Sequence, residues 1–136
     1  MSSERAESLG LRARARFYGF AVAGVDPVMM LEGPIPATQK VLDKCGLQLD
    51  EIDVIEINEA FASVVLAWQQ VTDVDLARVN PNGGAIALGH PLGSSGTRIM
   101  ATLVNELERT EGRFGMQLMC EGGGMANATI IERVGL

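Results

Sequence analysis

The chain has 136 residues and a mass of 14.5 kDa, which is enough for one domain with a single core. Its formal net charge of −6 disfavours nucleic acid and anionic membranes as partners, because both repel a negatively charged protein. One histidine and two cysteines, Cys45 and Cys120, are too few for a structural zinc site, although the sequence leaves a single disulfide open.

The first residues predict an exposed lead-in rather than part of a core. Residues 1–15 are polar and basic, and the domain is expected to cover residues 16–136. The start has no apolar signal segment, and no apolar run approaches membrane-spanning length. We therefore expect a cytoplasmic protein with reduced thiols.

The remaining chain alternates between predicted strands and helices. A helix should begin near Pro34, since proline suits a first turn, and end at Gly46. The glycine turn between the last two strands is short, which makes them antiparallel. The order β-α-β-α-β-α-β-β predicts an α/β fold with a five-stranded mixed sheet and flanking helices. The predicted strands are 17–25, 52–57, 78–80, 114–120 and 126–134, and the helices are 34–45, 60–68 and 94–108.

The helix predicted for residues 60–68 is apolar almost all round. Such a helix has to be covered on more than one side. A domain of this length can hardly do so alone, so a layer from another polypeptide is implied.

His90 is the only histidine and lies between Gly89 and Pro91. Imidazole titrates near neutral pH, so it can take a proton from a thiol or donate to a forming oxyanion. The alternative is a loop histidine that only bonds the backbone, and His90 taken by itself favours that alternative.

Cys120 ends a strand pattern and is followed by Gly122, Gly123 and Gly124. A cysteine there can simply fill the core. Three glycines, however, expose backbone N–H groups that suit an oxyanion hole and let a substrate approach the thiol. A cysteine and a histidine are the minimum for thiol chemistry, but the sequence does not bring them together.

Four further polar or thiol residues have ordinary structural interpretations. Asn58 can be a helix N-cap or can orient a water or ligand carbonyl, and Glu59 can be a first-turn charge. Cys45 fits the apolar face of its helix and is assigned to structure. Arg98 is expected at the surface or in a salt bridge.

Taken together, three segments resemble the carboxy-terminal signatures of the thiolase family in order and spacing. They are residues 58–62 (NEAFA), 82–93 (NGGAIALGHPLG) and 120–124 (CEGGG), supported by 33–38 (GPIPAT) and 53–57 (DVIEI). The resemblance spans essentially the whole chain and implies the thiolase half-fold. It also implies an acyl-CoA acyltransferase with coenzyme A thioesters as substrates and no permanently bound cofactor.

The resemblance implies a role for each matching residue. His90 would activate a nucleophilic cysteine and help form one oxyanion hole, with a water held by Asn58. Cys120 would be the acid/base that deprotonates acetyl-CoA or protonates the leaving enolate. The N–H of Gly122 would serve the second oxyanion hole.

In the family, the nucleophilic cysteine and most coenzyme A contacts belong to an amino-terminal half, which these residues do not include. The resemblance therefore implies a carboxy-terminal half that is inactive until an amino-terminal half, as a separate chain, joins it. The alternatives are a truncated remnant, an association or acyl-CoA-binding domain that self-associates, and a fragment of a longer gene product.

Overall fold

The computed structural model describes residues 1–135, which form one mixed sheet with helices on both faces. The helices are α1 (Ser3–Ser8), α2 (Pro34–Cys45), α3 (Ala62–Thr72), α4 (Ala85–Leu88) and α5 (Ser95–Thr110). The strands are β1 (Ala15–Gly24), β2 (Val54–Ile57), β3 (Phe114–Cys120) and β4 (Met125–Arg133). Within residues 1–135, no helix is both long and apolar enough to cross a membrane.

The strands lie in the order β1-β4-β3-β2. β3 and β4 are antiparallel, as the short glycine turn between them predicted, and β1 pairs antiparallel with β4. β2 pairs in parallel with β3, so residues 57 and 118 reach the same edge of the sheet. That edge is where the two strands end and the loops of the candidate site begin.

The prediction of a fifth strand at residues 78–80 is wrong, because the described chain has four strands. Leu76–Arg78 is a 3-10 turn, and Val79 makes only an isolated parallel bridge to Ile55. Asn80 then turns the chain away with φ of 46°, while its side-chain amide bonds both the N–H and the C=O of Ile57. A side chain thus occupies the edge of β2 where backbone pairing was expected.

The α2 helix has the ends that its sequence predicted. Pro34 lies in the first turn, and Gly46 ends the helix in the left-handed region with φ of 66°. Ala37, Val41 and Leu42 are buried and pack on β1 and β4 in the main core.

The outer strand β1 leaves its free edge partly covered by two lysines. Lys44 Nζ donates to Phe20 O at 2.9 Å, and Lys40 Nζ lies 3.4 Å from Val22 O. Both lysines lie on the exposed side of α2. They occupy carbonyls that would otherwise be open to another strand.

The α3 helix is covered on one side only. Val64 and Trp68 are buried, and Trp68 Nε1 donates to Thr38 Oγ1 of α2 at 2.9 Å. On the other side, Leu66 is 58 % exposed and Val71 is 64 % exposed. Within this chain, the apolar helix predicted from the sequence therefore keeps an uncovered apolar side.

On the opposite face of the sheet, α5 packs on β2 and β3 and reaches Ile131 of β4, while most of β1 stays exposed. The space beside α5 is a groove of about 950 Å³. Met100 and Val104 line it from α5, while Phe17 lines it from β1 and is 64 % exposed. Arg14 and Arg16 also line it.

The lead-in expected at residues 1–15 contains the short helix α1, which the sequence did not predict. Ser2 caps it by accepting from Arg5 N. All of its residues are exposed except Ala6, which is half-buried. α1 adds nothing to the core.

Candidate active site

The candidate site lies where β2 and β3 end side by side. Asn58 directly follows β2, and its backbone N–H donates to Leu118 O of β3 at 2.9 Å. Cys120 is the last residue of β3. The parallel pairing of two short apolar strands therefore places an amide and a thiol at the same edge.

Asn58 and Cys120 are in contact. Asn58 Nδ2 lies 3.9 Å from Cys120 Sγ, within hydrogen-bonding range for sulfur. Both residues are buried, and burial raises the pKa of the Cys120 thiol while the Asn58 amide partly opposes that effect. Cys120 is therefore a protonated thiol near neutral pH that can give up its proton to a stronger base.

The side-chain oxygen of Asn58 has no hydrogen-bond partner within residues 1–135. Asn58 Oδ1 is buried and has no hydrogen-bond partner there, although Asn58 is only 2 % exposed. Buried polar atoms are normally satisfied, so an orphan acceptor points to a group received from outside. Asn58 does not cap α3, which begins at Ala62 after Phe61.

In the glycine turn after Cys120, two residues adopt the left-handed backbone conformation. Gly123 and Gly124 have φ of 73° and 82°, and a Cβ at Gly124 would lie 2.6 Å from Val25 O. Gly122 is exposed and opens the 3-10 turn Gly122–Gly124. The first N–H groups of such a turn have no partner within it, so the N–H of Gly122 is available to an acceptor.

His90 is held by a residue that the sequence analysis missed. His90 Nδ1 lies 2.6 Å from Ser95 Oγ, which also lies 3.2 Å from Pro91 O. When the Ser95 hydroxyl donates to that carbonyl, it accepts from His90, and the proton of the neutral ring is then on Nδ1. Nε2 is then the basic nitrogen. The signal in the sequence was a serine five residues on, in the first turn of α5.

Glu59 ties the end of β2 to the glycine-rich loop. Its carboxylate accepts from Asn80 Nδ2 at 2.9 Å and from Ile86 N at 2.8 Å. A side chain at Gly84 would collide with this carboxylate. Glu59 is thus a loop anchor and not the helix charge that the sequence suggested.

Of the four predicted site residues, the structure brings two into direct contact. Asn58 and Cys120 touch, Gly122 follows two residues later, and His90 lies in the loop before α5. Within residues 1–135, no hydrogen bond joins His90 to Cys120 or Asn58.

The second cysteine is outside this site. Cys45 packs against the core at the end of α2, beside Gly19 of β1, and burial raises the pKa of its thiol. Both Cys45 and Cys120 are free, so the disulfide that the sequence left open does not form.

The residues of this site lie within a known domain type. The family model for the thiolase C-terminal domain matches residues 11–133. The chain belongs to the thiolase family.

Among curated relatives, the steroid 3-ketoacyl-CoA thiolase FadA6 of Mycobacterium tuberculosis is 59% identical over 135 residues. A 3-ketoacyl-CoA thiolase of Vibrio vulnificus is 51% identical over 136 residues. The two alignments each cover 98% of this thiolase chain, but 33% and 35% of the relatives. The chain thus spans about a third of the length of the curated relatives it matches.

Solved structures give the same result for the fold. Human mitochondrial 3-ketoacyl-CoA thiolase in complex with CoA superimposes with a TM-score of 0.96 at 45% identity. The Bacillus anthracis acetyl-CoA acetyltransferase superimposes with a TM-score of 0.95, also at 45% identity. Each match covers 98% of this chain and 34% of the other. The thiolase-like α/β fold expected from the sequence is confirmed, with four strands.

Proposed function

We propose that this chain is the carboxy-terminal half of a thiolase-type acyltransferase that exchanges acyl groups between acyl-CoA and acetyl-CoA or coenzyme A. The contact between Asn58 Nδ2 and Cys120 Sγ, beside the glycine turn, carries the proposal. The relatives named as 3-ketoacyl-CoA thiolases and the neighbour crystallised with CoA support this substrate class.

Cys120 is the acid/base of the proposed reaction. When the C2–C3 bond of a 3-ketoacyl-CoA breaks, the acyl group passes to a nucleophilic cysteine and the acetyl-CoA enolate takes the Cys120 proton. In the reverse direction the Cys120 thiolate removes that proton from acetyl-CoA. A thiol whose pKa is raised by burial holds its proton until the enolate forms, which suits the first direction.

His90 accepts the proton of the nucleophilic cysteine on Nε2. Its Nδ1 is already committed to Ser95, so Nε2 is the basic nitrogen in the neutral ring. The resulting imidazolium then donates to the oxyanion, with a water on Asn58 Oδ1 completing that hole. The N–H of Gly122 serves the thioester oxygen of the enolate in the second hole.

An amino-terminal half, as a separate chain, supplies the nucleophilic cysteine. The uncovered apolar side of α3 and the groove beside α5 support a partner that packs on this chain. Without such a partner the covalent step has no nucleophile, so the isolated chain is expected to be inactive.

A second candidate is a catalytically inactive remnant that serves in association or acyl-CoA binding. The same exposed apolar residues favour it, since they can equally hold two copies of this chain together. The two candidates differ in whether His90 and Cys120 are needed for any measurable turnover.

A thiolysis assay with acetoacetyl-CoA and coenzyme A separates them. The chain is tested alone and mixed with the part of a 3-ketoacyl-CoA thiolase that this chain does not span. Activity only in the mixture, lost in His90→Ala and Cys120→Ala but kept in Cys45→Ala, is the expected result. Inactive mixtures would support the remnant, and turnover by the isolated chain would contradict the proposed need for a partner's nucleophile.

A further inference from the structure

Two oppositely charged groups, the carboxylate of Glu56 and the guanidinium of Arg98, are buried where α5 packs on the sheet. Glu56 of β2 is 0 % exposed, and neither carboxylate oxygen has a hydrogen-bond partner within residues 1–135. Three guanidinium nitrogens of Arg98, in the first turn of α5, are also buried and unpartnered in that range. The expectation of a surface or salt-bridged Arg98 is therefore wrong.

Arg98 is the cation that acts on Glu56. Burial opposes ionisation of the Glu56 carboxylate most strongly, Arg98 favours the ionised form, and the Glu59 and Glu106 carboxylates oppose it. Removing either partner alone leaves the other charge buried without compensation. The two side chains are thus coupled across the interface between β2 and α5, although no direct salt bridge joins them.

A neutral hydrogen bond crosses the same interface. Gln117 pairs with Glu56 in the register of β2 and β3, and its Nε2 donates to Gly96 O at 2.9 Å. Gly96 and Arg98 both lie in the first turn of α5. This turn is therefore fixed to the sheet by one hydrogen bond and one charge attraction.

Both elements lead directly to the candidate site. Asn58 follows Glu56 by two residues at the end of β2, and Ser95, which holds His90, precedes Arg98 by three residues. Ser95 is completely buried, so the ring position follows the position of this helical turn. If the first turn of α5 moves relative to β2, His90 therefore moves relative to Asn58.

We propose that Glu56 and Arg98 are positioning residues whose attraction sets the first turn of α5 over β2 and thereby sets His90 relative to Asn58. Their importance for turnover rests on the proposed function, but their effect on His90 does not. Neither side chain touches a reacting group, and both act through Ser95.

The test uses the single histidine of the chain as a probe. In a ¹⁵N-labelled sample at pH 8, a proton on His90 Nδ1 that bonds Ser95 should give one imidazole signal, and its exchange with solvent is measured. Glu56→Gln keeps the side-chain shape and Arg98→Met removes the cation. We expect both to speed the exchange of this proton at least about tenfold, because each removes the same coupling. Arg98→Lys, which keeps the charge, should restore most of the protection.

Glu108→Gln is the matched control, since it removes the exposed Arg14–Glu108 ion pair at the far end of the same helix. Unchanged exchange in Glu56→Gln, or an equal change in the control, would overturn the proposal. If Arg98→Met does not fold, Glu56→Gln and Arg98→Lys still decide it.

Turnover is measured separately in the reconstituted thiolysis mixture. There Glu56→Gln should lower kcat roughly tenfold with KM little changed, as expected for a misplaced catalytic group. A mixture that is inactive with the unaltered chain would contradict the proposed function alone, because the exchange experiment is carried out without it. An active mixture in which Glu56→Gln has full kcat would overturn the positioning role.

Discussion

Ser95 holds the imidazole of His90 through a contact of 2.6 Å between its Oγ and Nδ1 of the ring. The sequence marked His90 through its glycine and proline neighbours, yet nothing in that pattern identified the partner of Nδ1. The partner is a helix residue, and its hydroxyl also bonds Pro91 O. Short-range hydrogen bonds of this kind depend on how a loop enters a helix, which composition and spacing do not determine.

Replacing Ser95 by alanine should change which ring nitrogen carries the proton. With the hydroxyl gone, Nδ1–H loses its acceptor, and the ring should shift toward the Nε2–H tautomer that is usual in water. The ¹⁵N chemical shifts of the two ring nitrogens measure this ratio. Thr97→Ala is the control, because Thr97 bonds Ser94 O in the same turn and does not touch His90. Identical shifts in Ser95→Ala and the unaltered chain would contradict the tautomer assignment.

Glu56 should make the folded state less stable as the pH rises. Burial is the main cause that raises the pKa of Glu56 from 4.5 to about 7 in the folded chain. Between these values the unfolded chain loses its proton and the folded chain keeps it, so the free energy of unfolding falls as pH increases. The loss is complete above pH 7 and amounts to about 3 kcal/mol.

Urea unfolding at pH 5 and pH 8 measures this effect. Glu56→Gln should remove the corresponding part of the pH dependence. Glu7→Gln, on the exposed helix α1, should leave the dependence unchanged. Parallel pH curves for Glu56→Gln and the unaltered chain would show that Glu56 titrates normally.

At the scale of elements, local sequence rules predicted the helix ends and the antiparallel turn well. Pro34 and Gly46 bound α2 as expected, because proline and a left-handed glycine act through backbone geometry alone. The prediction of a strand at residues 78–80 was wrong because a side chain replaces the backbone pairing. There the Asn80 side chain takes the hydrogen bonds of Ile57, an exchange that a pattern of apolar residues does not reveal.

The joint between α2 and α3 depends on one buried hydroxyl. Thr38 Oγ1 accepts from Trp68 Nε1 and donates to Pro34 O at 2.7 Å. Thr38→Val should leave the indole N–H unsatisfied and lower the free energy of unfolding by about 1–3 kcal/mol in a denaturant titration. Thr110→Val is the matched control, since Thr110 also bonds the carbonyl four residues earlier but is exposed. Equal losses in the two variants would contradict a special role for the indole bond.

At the scale of the whole molecule, the sequence predicted one of the two exposed apolar surfaces. The sequence predicted that the helix after Asn58 needs cover, and α3 indeed buries only one side. It did not predict the groove beside α5, because a groove depends on where α5 lies across the sheet. Apolar residues on both faces thus remain open to solvent in residues 1–135.

The outer strand β1 also has a wide apolar surface, and Val22 is 68 % exposed. Contact between such surfaces on two copies would remove them from water. We expect sedimentation of the isolated chain at micromolar concentration to give an apparent mass above the 14.5 kDa of the monomer. Phe17→Gln with Val22→Gln should shift it toward the monomer, while Val28→Gln, in an exposed loop, should not. A monomer at all concentrations would contradict this expectation.

The contact between Asn58 and Cys120 joins residues 62 positions apart in the chain. The entropy cost of closing that long loop comes before the contact can stabilise the chain. The parallel pairing of β2 with β3 closes the loop. The site therefore forms only once β2 and β3 have paired. During synthesis on a ribosome it cannot exist until β3 has emerged, because β3 ends in Cys120, so a shorter nascent chain presents Asn58 and His90 without the thiol.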